Sequence, residues 1–394
     1  APIISTGCGN DLIEFPALVS VCNFFITTDT LGLHVALALK RKTIALIGPT
    51  SNKEVDMYNL GKKIIAKSNC LCCYKENCKS MNKISTKEII DGIEEILNFK
   101  ITVLITAFKE PSIERAINAV LNQKTKYNFN ILISAPDKET IDIAKGYAKN
   151  DKRIGIFKDP GKGKMHAINL ILKEIQNNEI LILTDGDVYI SDNAIEEISN
   201  LFLDPEIGCV AGRPVPIENK KTKYGYWANF LFDAAHALRK GAFMMHEFIE
   251  CSGYLFAFKG DNTIKIPLDT AEDTIIPYYF WEKGYKIGYA ENAKVYVKNV
   301  DNWRDWIKQK TRTSKAHETL DKYADTKTTP RVKSFKKEAN GIYDLLYYPS
   351  NFREFYWSLL LASARLYMWG SVLYNIKIKK FDSVDNWERV ESAR

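Results

Sequence analysis

"EILILTDGDVYIS" (residues 179–191) decides how this chain is read: an apolar run, Ile180 to Leu183, leads into two aspartates separated by one glycine. A strand without polar alternation is covered on both faces, as in a parallel sheet with crossover helices packed on either side. The same unit recurs from Lys100 onward. "ITVLIT" (101–106) precedes a helix predicted over 112–123, "FNILIS" (129–134) one over 138–149, "RIGIF" (153–157) one over 165–177, and "EILILT" (179–184) one over 193–203. This alternation predicts an α/β fold with an open, mostly parallel sheet and helices on both faces, whose ligands sit at the carboxyl ends of the strands.

On an extended chain Asp185 and Asp187 point the same way with Cα atoms about 7 Å apart. Two like charges so placed repel by a few kcal/mol, so a compensating partner is expected. A divalent cation, Mg2+ or Mn2+, carried with a diphosphate supplies one, and Gly186 lets the backbone come close to it. An isolated D-G-D is equally a turn, because both residue types favour turns. The surrounding sequence weighs on the choice. "GKGKMHAIN" (161–169) sets Gly163 and Lys164 before a helix, where an amide and an ammonium can meet phosphate, although a lysine there is also simply solvated. "AEDT" (271–274) opens a helix with Glu272 and Asp273, either as ordinary first-turn acids or as a general base for an acceptor hydroxyl. "WIKQKTRTSKA" (306–316) puts Gln309 and Arg312 three apart on one helix face.

In this order the elements resemble the family-2 glycosyltransferases, inverting enzymes of the GT-A fold, and in particular the branch that includes chitin, cellulose and hyaluronan synthases. The resemblance spans residues 100–320, opening with "ITVLITAFKEPSIERAINAVLNQ" (101–123). It implies that Ala107 to Glu110 and Asp137 line the nucleotide, that Lys164 helps hold it, and that Asp185 and Asp187 form the metal-binding D-x-D. It further implies that Asp273, beside Glu272, is the catalytic base, and that Gln309 and Arg312 begin the Q-x-x-R-W motif and contact the donor. The implied reaction moves a sugar, of the hexosyl or N-acetylhexosaminyl class, from a nucleotide sugar to a hydroxyl on a glycan or lipid-linked acceptor, with Mg2+ or Mn2+. Two positions depart from the pattern. Thr313 stands where the family has tryptophan, so processive polymer synthesis is not implied, and "SAPDKET" (134–140) replaces D-D-G-S, leaving UDP as the leading donor nucleotide and not the only one. A nucleotidyltransferase would also need carboxylate-bound metal, without requiring the downstream motifs. A non-catalytic sugar-nucleotide scaffold is the reading outside enzymology.

The first hundred residues read as strand, helix, strand, loop, helix: "NFFIT" (23–27), "GLHVALALK" (32–40), "KTIALIG" (42–48), a cysteine loop and "STKEIIDGIEEILN" (85–98). This stretch resembles part of the donor-binding half of the family-9 heptosyltransferases, with Asp29, Thr30 and His34 matching a D-T-G-x-x-H element whose glycine falls one place late, at Gly32. His34 is expected as a structural histidine or a remnant donor contact. In the loop "CLCCYKENC" (70–78), a C-x2-C pair followed by a third cysteine could bind zinc, but no second pair or histidine follows at ligand spacing.

With 394 residues, 46% of them hydrophobic, the chain exceeds one ordinary core. The expected organisation is a partial Rossmann-like module over 1–98, the GT-A domain over 99–322 and a helical tail over 323–394. A net charge of +7 with dispersed lysines favours anionic small molecules or a membrane surface over nucleic acid. No signal peptide precedes the cysteines, so a reducing cytoplasm is the expected compartment. The start at Ala1 is that expected of a fragment or a processed product. The tail "REFYWSLLLASARLYMWGSVLYNIKIKK" (353–380) is apolar for about twenty residues, enough to span a bilayer. Arg365 would cost about 2.5–3.5 kcal/mol there, which favours a peripheral helix on the cytoplasmic membrane face, with packing on the catalytic domain as the alternative.

Overall fold

In the computed structural model the chain separates into two compact units, residues 1–99 with 200–207, and residues 100–199 with 208–394. The structure describes residues 9–377 except 23, 59, 76, 98–99, 177–178, 319, 327 and 330–343, and leaves out the side chains of 97, 312–318, 344 and 372–377.

The first unit runs α1 (Glu14–Ser20), β1 (Phe24–Thr28), α2 (Leu31–Ala38), β2 (Lys42–Ile47), β3 (Gly61–Ile65), a short 3-10 turn (Ser80–Lys83) and α3 (Thr86–Leu97). The strands form a parallel sheet in the order β1-β2-β3. Strand β3, "GKKII", is absent from the sequence reading because its lysines break the apolar run. It packs so tightly on β2 that a Cβ at Gly61 would fall 1.7 Å from the Thr43 carbonyl oxygen. One core cluster here is built on Leu33, Leu37, Ala45, Ile47, Val55 and Met57, and Val19, Ala36, Ile44 and Ile64 are buried as well. His34 stands exposed on α2.

The second unit begins as the periodicity predicts: β4 (Ile101–Thr106), α4 (Ile113–Leu121), β5 (Phe129–Ala135), α5 (Lys138–Ala148), β6 (Ile154–Lys158), α6 (Lys164–Leu172) and β7 (Ile180–Asp185). Strands β6, β5, β4 and β7 lie side by side and parallel, nearly every β4 and β7 residue being buried. Beyond them come β8 (Tyr189–Ile190), α7 (Ala194–Leu201), β9 (Ile207–Pro216), α8 (Lys223–Met244), β10 (Leu255–Lys259), α9 (Glu272–Glu282), β11 (Lys286–Val297) and α10 (Trp303–Glu318). These strands extend the sheet as β7-β10-β9-β11-β8, with β10 antiparallel to both β7 and β9, and β11 antiparallel to β8. Neither β9 nor β11 is visible as a repeat of the strand–helix unit.

Helix Phe352–Lys377 packs on α8 and α10. Tyr226 and Ser358 share a hydroxyl–hydroxyl hydrogen bond of 2.7 Å, Trp227 Nε1 donates to the Trp357 carbonyl at 2.8 Å, and the Trp227 and Trp306 rings meet edge to face at 5.2 Å. Tyr226, Trp227, Phe230, Trp306, Leu361 and Ala364 are buried together in this cluster. Among the described residues no helix is long and apolar enough to cross a membrane. The flanking Lys379 and Lys380, and the Lys377 side chain, lie outside what is described.

Candidate active site

The parallel register of β4 and β7 sets Thr106 beside Asp185 at the carboxyl ends of the two strands. Thr106 Oγ1 donates to Asp185 Oδ1 at 2.8 Å. The chain turns immediately afterwards, with the Gly186 amide donating to the Thr106 carbonyl at 2.9 Å. Asp185 therefore ends the strand and Asp187 sits in the turn that follows, so the two are not successive same-face positions of one extended strand. Gly186 answers first to the protein itself: a Cβ there would lie 2.8 Å from that of Ala107.

Lys164, the first residue of α6, places its ammonium 2.7 Å from Asp185 Oδ1 and 2.5 Å from Glu272 Oε1. Gly163 before it adopts φ 99°, a left-handed conformation that a side chain would strain. Glu272 opens α9 and is 2% exposed. The adjacent Asp273 is partly open to solvent, and its Oδ2 accepts the Gly253 amide at 2.7 Å. Gly253 lies just before β10, whose Leu255 is registered against Thr184 of β7. The antiparallel half of the sheet thus brings the Glu272–Asp273 pair to the strand end that carries Asp185.

The electrostatics of this corner are acidic. Burial and the charges of Asp185 and Glu110 push the Asp187 carboxyl up to about 6. Its side chain nonetheless reaches solvent, which screens that push. Burial also raises Glu272; the Lys164 ammonium opposes this, while Asp273 and Asp185 add to it. Burial works against the charge on Lys164, but the Asp185 and Glu272 carboxylates outweigh it and hold that ammonium charged. Among the described ion pairs Lys164 is the cation set against Asp185 and Glu272.

The loop after β4 is pinned from the next strand. Asp137 caps α5 by accepting the Thr140 amide at 2.9 Å, and its other oxygen accepts the Lys109 amide at 2.7 Å. Burial would raise this carboxyl, and the two amides more than reverse that, leaving it below the ordinary aspartate value. Ala107 donates its amide to the Ser134 carbonyl at 2.9 Å. Glu110, 5% exposed, accepts the Ser112 hydroxyl at 2.5 Å, while its own amide donates to Thr140 Oγ1 at 3.1 Å.

Of the residues singled out in the sequence, Lys164, Asp185 and Glu272 are in direct contact. Asp187 interacts with Asp185 and Lys164 through its charge and Asp273 with Glu272, Glu110 acts on Asp187, and Asp137 and Ala107 shape the adjoining loop. Gln309 lies on α10 with its Oε1 buried, and the side chain of Arg312 lies outside the described residues. Two supports are absent from the sequence reading. Thr106 was visible only as the polar end of "ITVLIT", and the Gly253 amide carries no side-chain signal at all.

The "Glycosyl transferase family 2" profile matches residues 102–259, and the "Glycosyltransferase family 9 (heptosyltransferase)" profile matches residues 9–84. Relatives include the O-antigen chain rhamnosyltransferase RfbN of Salmonella typhimurium, 24% identical over 213 residues that cover 50% of this chain and 65% of the relative. The probable glycosyltransferase YdaM of Bacillus subtilis is 23% identical over 284 residues, 67% of this chain and 65% of the relative. The chain thus spans about 65% of the length of each. A solved structure, GalNAc-T7 with UDP, GalNAc and Mn2+, aligns with a TM-score of 0.37 and 16% identity over 50% of this chain and 43% of that one. Residues 102–259 are a family-2 glycosyltransferase domain, preceded over 9–84 by part of a family-9 glycosyltransferase module.

Proposed function

We propose that the second unit transfers a sugar, with inversion, from a nucleoside diphosphate sugar to a hydroxyl of a glycan or lipid-linked acceptor. The observation that carries this reading is the convergence at one strand end of Asp185, Asp187 and Lys164, inside the segment that the family-2 profile matches, with the Glu272–Asp273 pair just beyond it in the chain. In this role Asp273 is the base. It is the more exposed of the two adjacent acids, and the Gly253 amide fixes one of its oxygens, leaving the carboxylate oriented to take a proton from an acceptor hydroxyl. Glu272, buried against Lys164, is too enclosed to meet an acceptor and instead positions the lysine. Lys164 balances the carboxylates and presents positive charge beside a helix start, where donor phosphates are stabilised.

The donor set fits a hard divalent cation: carboxylate oxygens from Asp185 and Asp187, with Glu110 adding negative charge nearby. Mg2+ or Mn2+ held by these two residues would supply charge stabilisation for the departing diphosphate. Helix Phe352–Lys377 leaves Phe352, Tyr356, Leu359, Leu366 and Tyr367 exposed, which supports a peripheral position at a membrane carrying a lipid-linked acceptor.

The test is release of nucleoside diphosphate from a panel of UDP-linked hexoses and N-acetylhexosamines, together with a nucleotide-linked 6-deoxyhexose because one relative is named a rhamnosyltransferase. Each donor is assayed with Mg2+, Mn2+ or chelator. Metal-dependent turnover of one donor that is lost in Asp187→Ala and in Asp273→Asn is the expected result. Turnover that survives both substitutions would sink the assignment.

A further inference from the structure

The three thiols of Cys70, Cys73 and Cys78, all in the first unit, lie with their sulfurs within 4.8 Å of one another. Cys70 and Cys78 are 3.8 Å apart, sulfur to sulfur, and all three are free thiols. A zinc–thiolate bond is about 2.3 Å, and the edge of a tetrahedron is 1.63 times its centre-to-corner length, which gives an edge of about 3.8 Å. Cys70 and Cys78 are therefore already spaced as two corners of a zinc tetrahedron, with the Cys73 sulfur within 4.8 Å of both.

The backbone is bent to achieve this. Cys72 and Tyr74, on either side of Cys73, adopt φ of 57° and 49°, left-handed conformations that residues other than glycine rarely take. Ser80, 3% exposed, places its hydroxyl oxygen 3.2 Å from Cys78 Sγ, where it can donate to a thiolate and orient it as a supporting group does at a metal site. The loop is fastened to the carboxyl end of β2: the Tyr74 amide donates to the Pro49 carbonyl at 3.0 Å, and Met81 fills the space at Gly48, where a Cβ would come within 2.5 Å of its sulfur.

Between β3 and the 3-10 turn the chain crosses about fourteen residues with no regular structure among the described ones, a length that compact domains seldom leave unfastened. Thiolates are soft ligands that select zinc over the hard cations suited to the carboxylates of the second unit.

We propose that Cys70, Cys73 and Cys78 bind a structural zinc ion that cross-links this loop within itself, with solvent at the fourth position. Cys72 is not a ligand here, because its sulfur faces the Thr50 carbonyl at 3.7 Å.

The test uses the full chain, reduced and purified without chelator. We expect stoichiometric zinc by elemental analysis. We also expect Co2+ exchanged into the protein to give a thiolate charge-transfer band with intense visible bands, lost in Cys70→Ser, Cys73→Ser and Cys78→Ser and kept in Cys72→Ser. Alkylation of the unmutated protein keeps the result readable if those variants misfold: zinc should protect Cys70, Cys73 and Cys78 and leave Cys72 reactive. Absence of zinc and of cobalt bands, bands that survive Cys73→Ser, loss of binding in Cys72→Ser, or equal alkylation with and without zinc would each overturn the proposal.

Discussion

The two units are built on the same grammar of parallel strands and crossover helices, yet they place opposite chemistries at their strand ends. In the second, β7 ends in Asp185 and delivers carboxylates that share one ammonium. In the first, the end of β2 receives a loop of thiols. Side chains within a parallel sheet are committed to packing, so the residues just beyond its carboxyl edge are the ones free to differ. The fold supplies the platform, and a few residues past each strand decide what it holds.

The sharpest way to break this comparison is Asp273→Asn. If the side chain serves chemistry alone, transfer should fall by about 10^2–10^4-fold in a nucleoside diphosphate release assay. The thermal midpoint and the cobalt spectrum of the first unit should be unchanged, and a variant keeping more than about a tenth of the activity would remove Asp273 from its role.

Lys164→Met tests whether strand-end charges also hold the second unit together. Glu272 is 2% exposed and would be left without its ammonium, a loss that costs about 3–5 kcal/mol in denaturant unfolding. A loss below about 1 kcal/mol would mean that the pair is not coupled to the fold.

Gly186→Ala addresses the platform itself. Its Cβ would press on Ala107 at 2.8 Å, and the expected destabilisation is about 1–3 kcal/mol. Indifference to the methyl group would return Gly186 to the role read from the sequence, that of admitting a ligand.

Asp137→Ala should be the mildest, about 0.5–2 kcal/mol for loss of an α5 cap. The amides hold this carboxyl below its unfolded value of about 3.9, so its stabilising effect is fully present above that pH and is lost as pH falls through the native value. Equal stability differences between wild type and variant at neutral and strongly acidic pH would contradict the capping geometry.

The parallel half of the second unit was legible because burial on both faces leaves unbroken apolar runs such as "ITVLIT" and "EILILT". The antiparallel half was not. Strand β11 mixes buried and exposed positions, and β9 ends in "GRPVP", where an arginine and two prolines break the apolar run, so neither repeats the strand–helix signature. In the first unit, Lys62 and Lys63 hid β3.

The sequence by itself determined which residues are candidates for the chemistry: two aspartates at a strand end, a lysine after a glycine, an acidic pair at a helix start and a cluster of cysteines. These are local signals, set by residue type and spacing. Only the tertiary structure decided their pairings. Strand β10, inserted beside β7, carries the Gly253 amide to Asp273, and α6 and α9 converge so that Lys164 bridges Asp185 and Glu272. Two left-handed residues fold Cys70, Cys73 and Cys78 onto one point. These contacts join residues separated along the chain or turned by the backbone, and strand order and chain direction fix them, which no local pattern encodes.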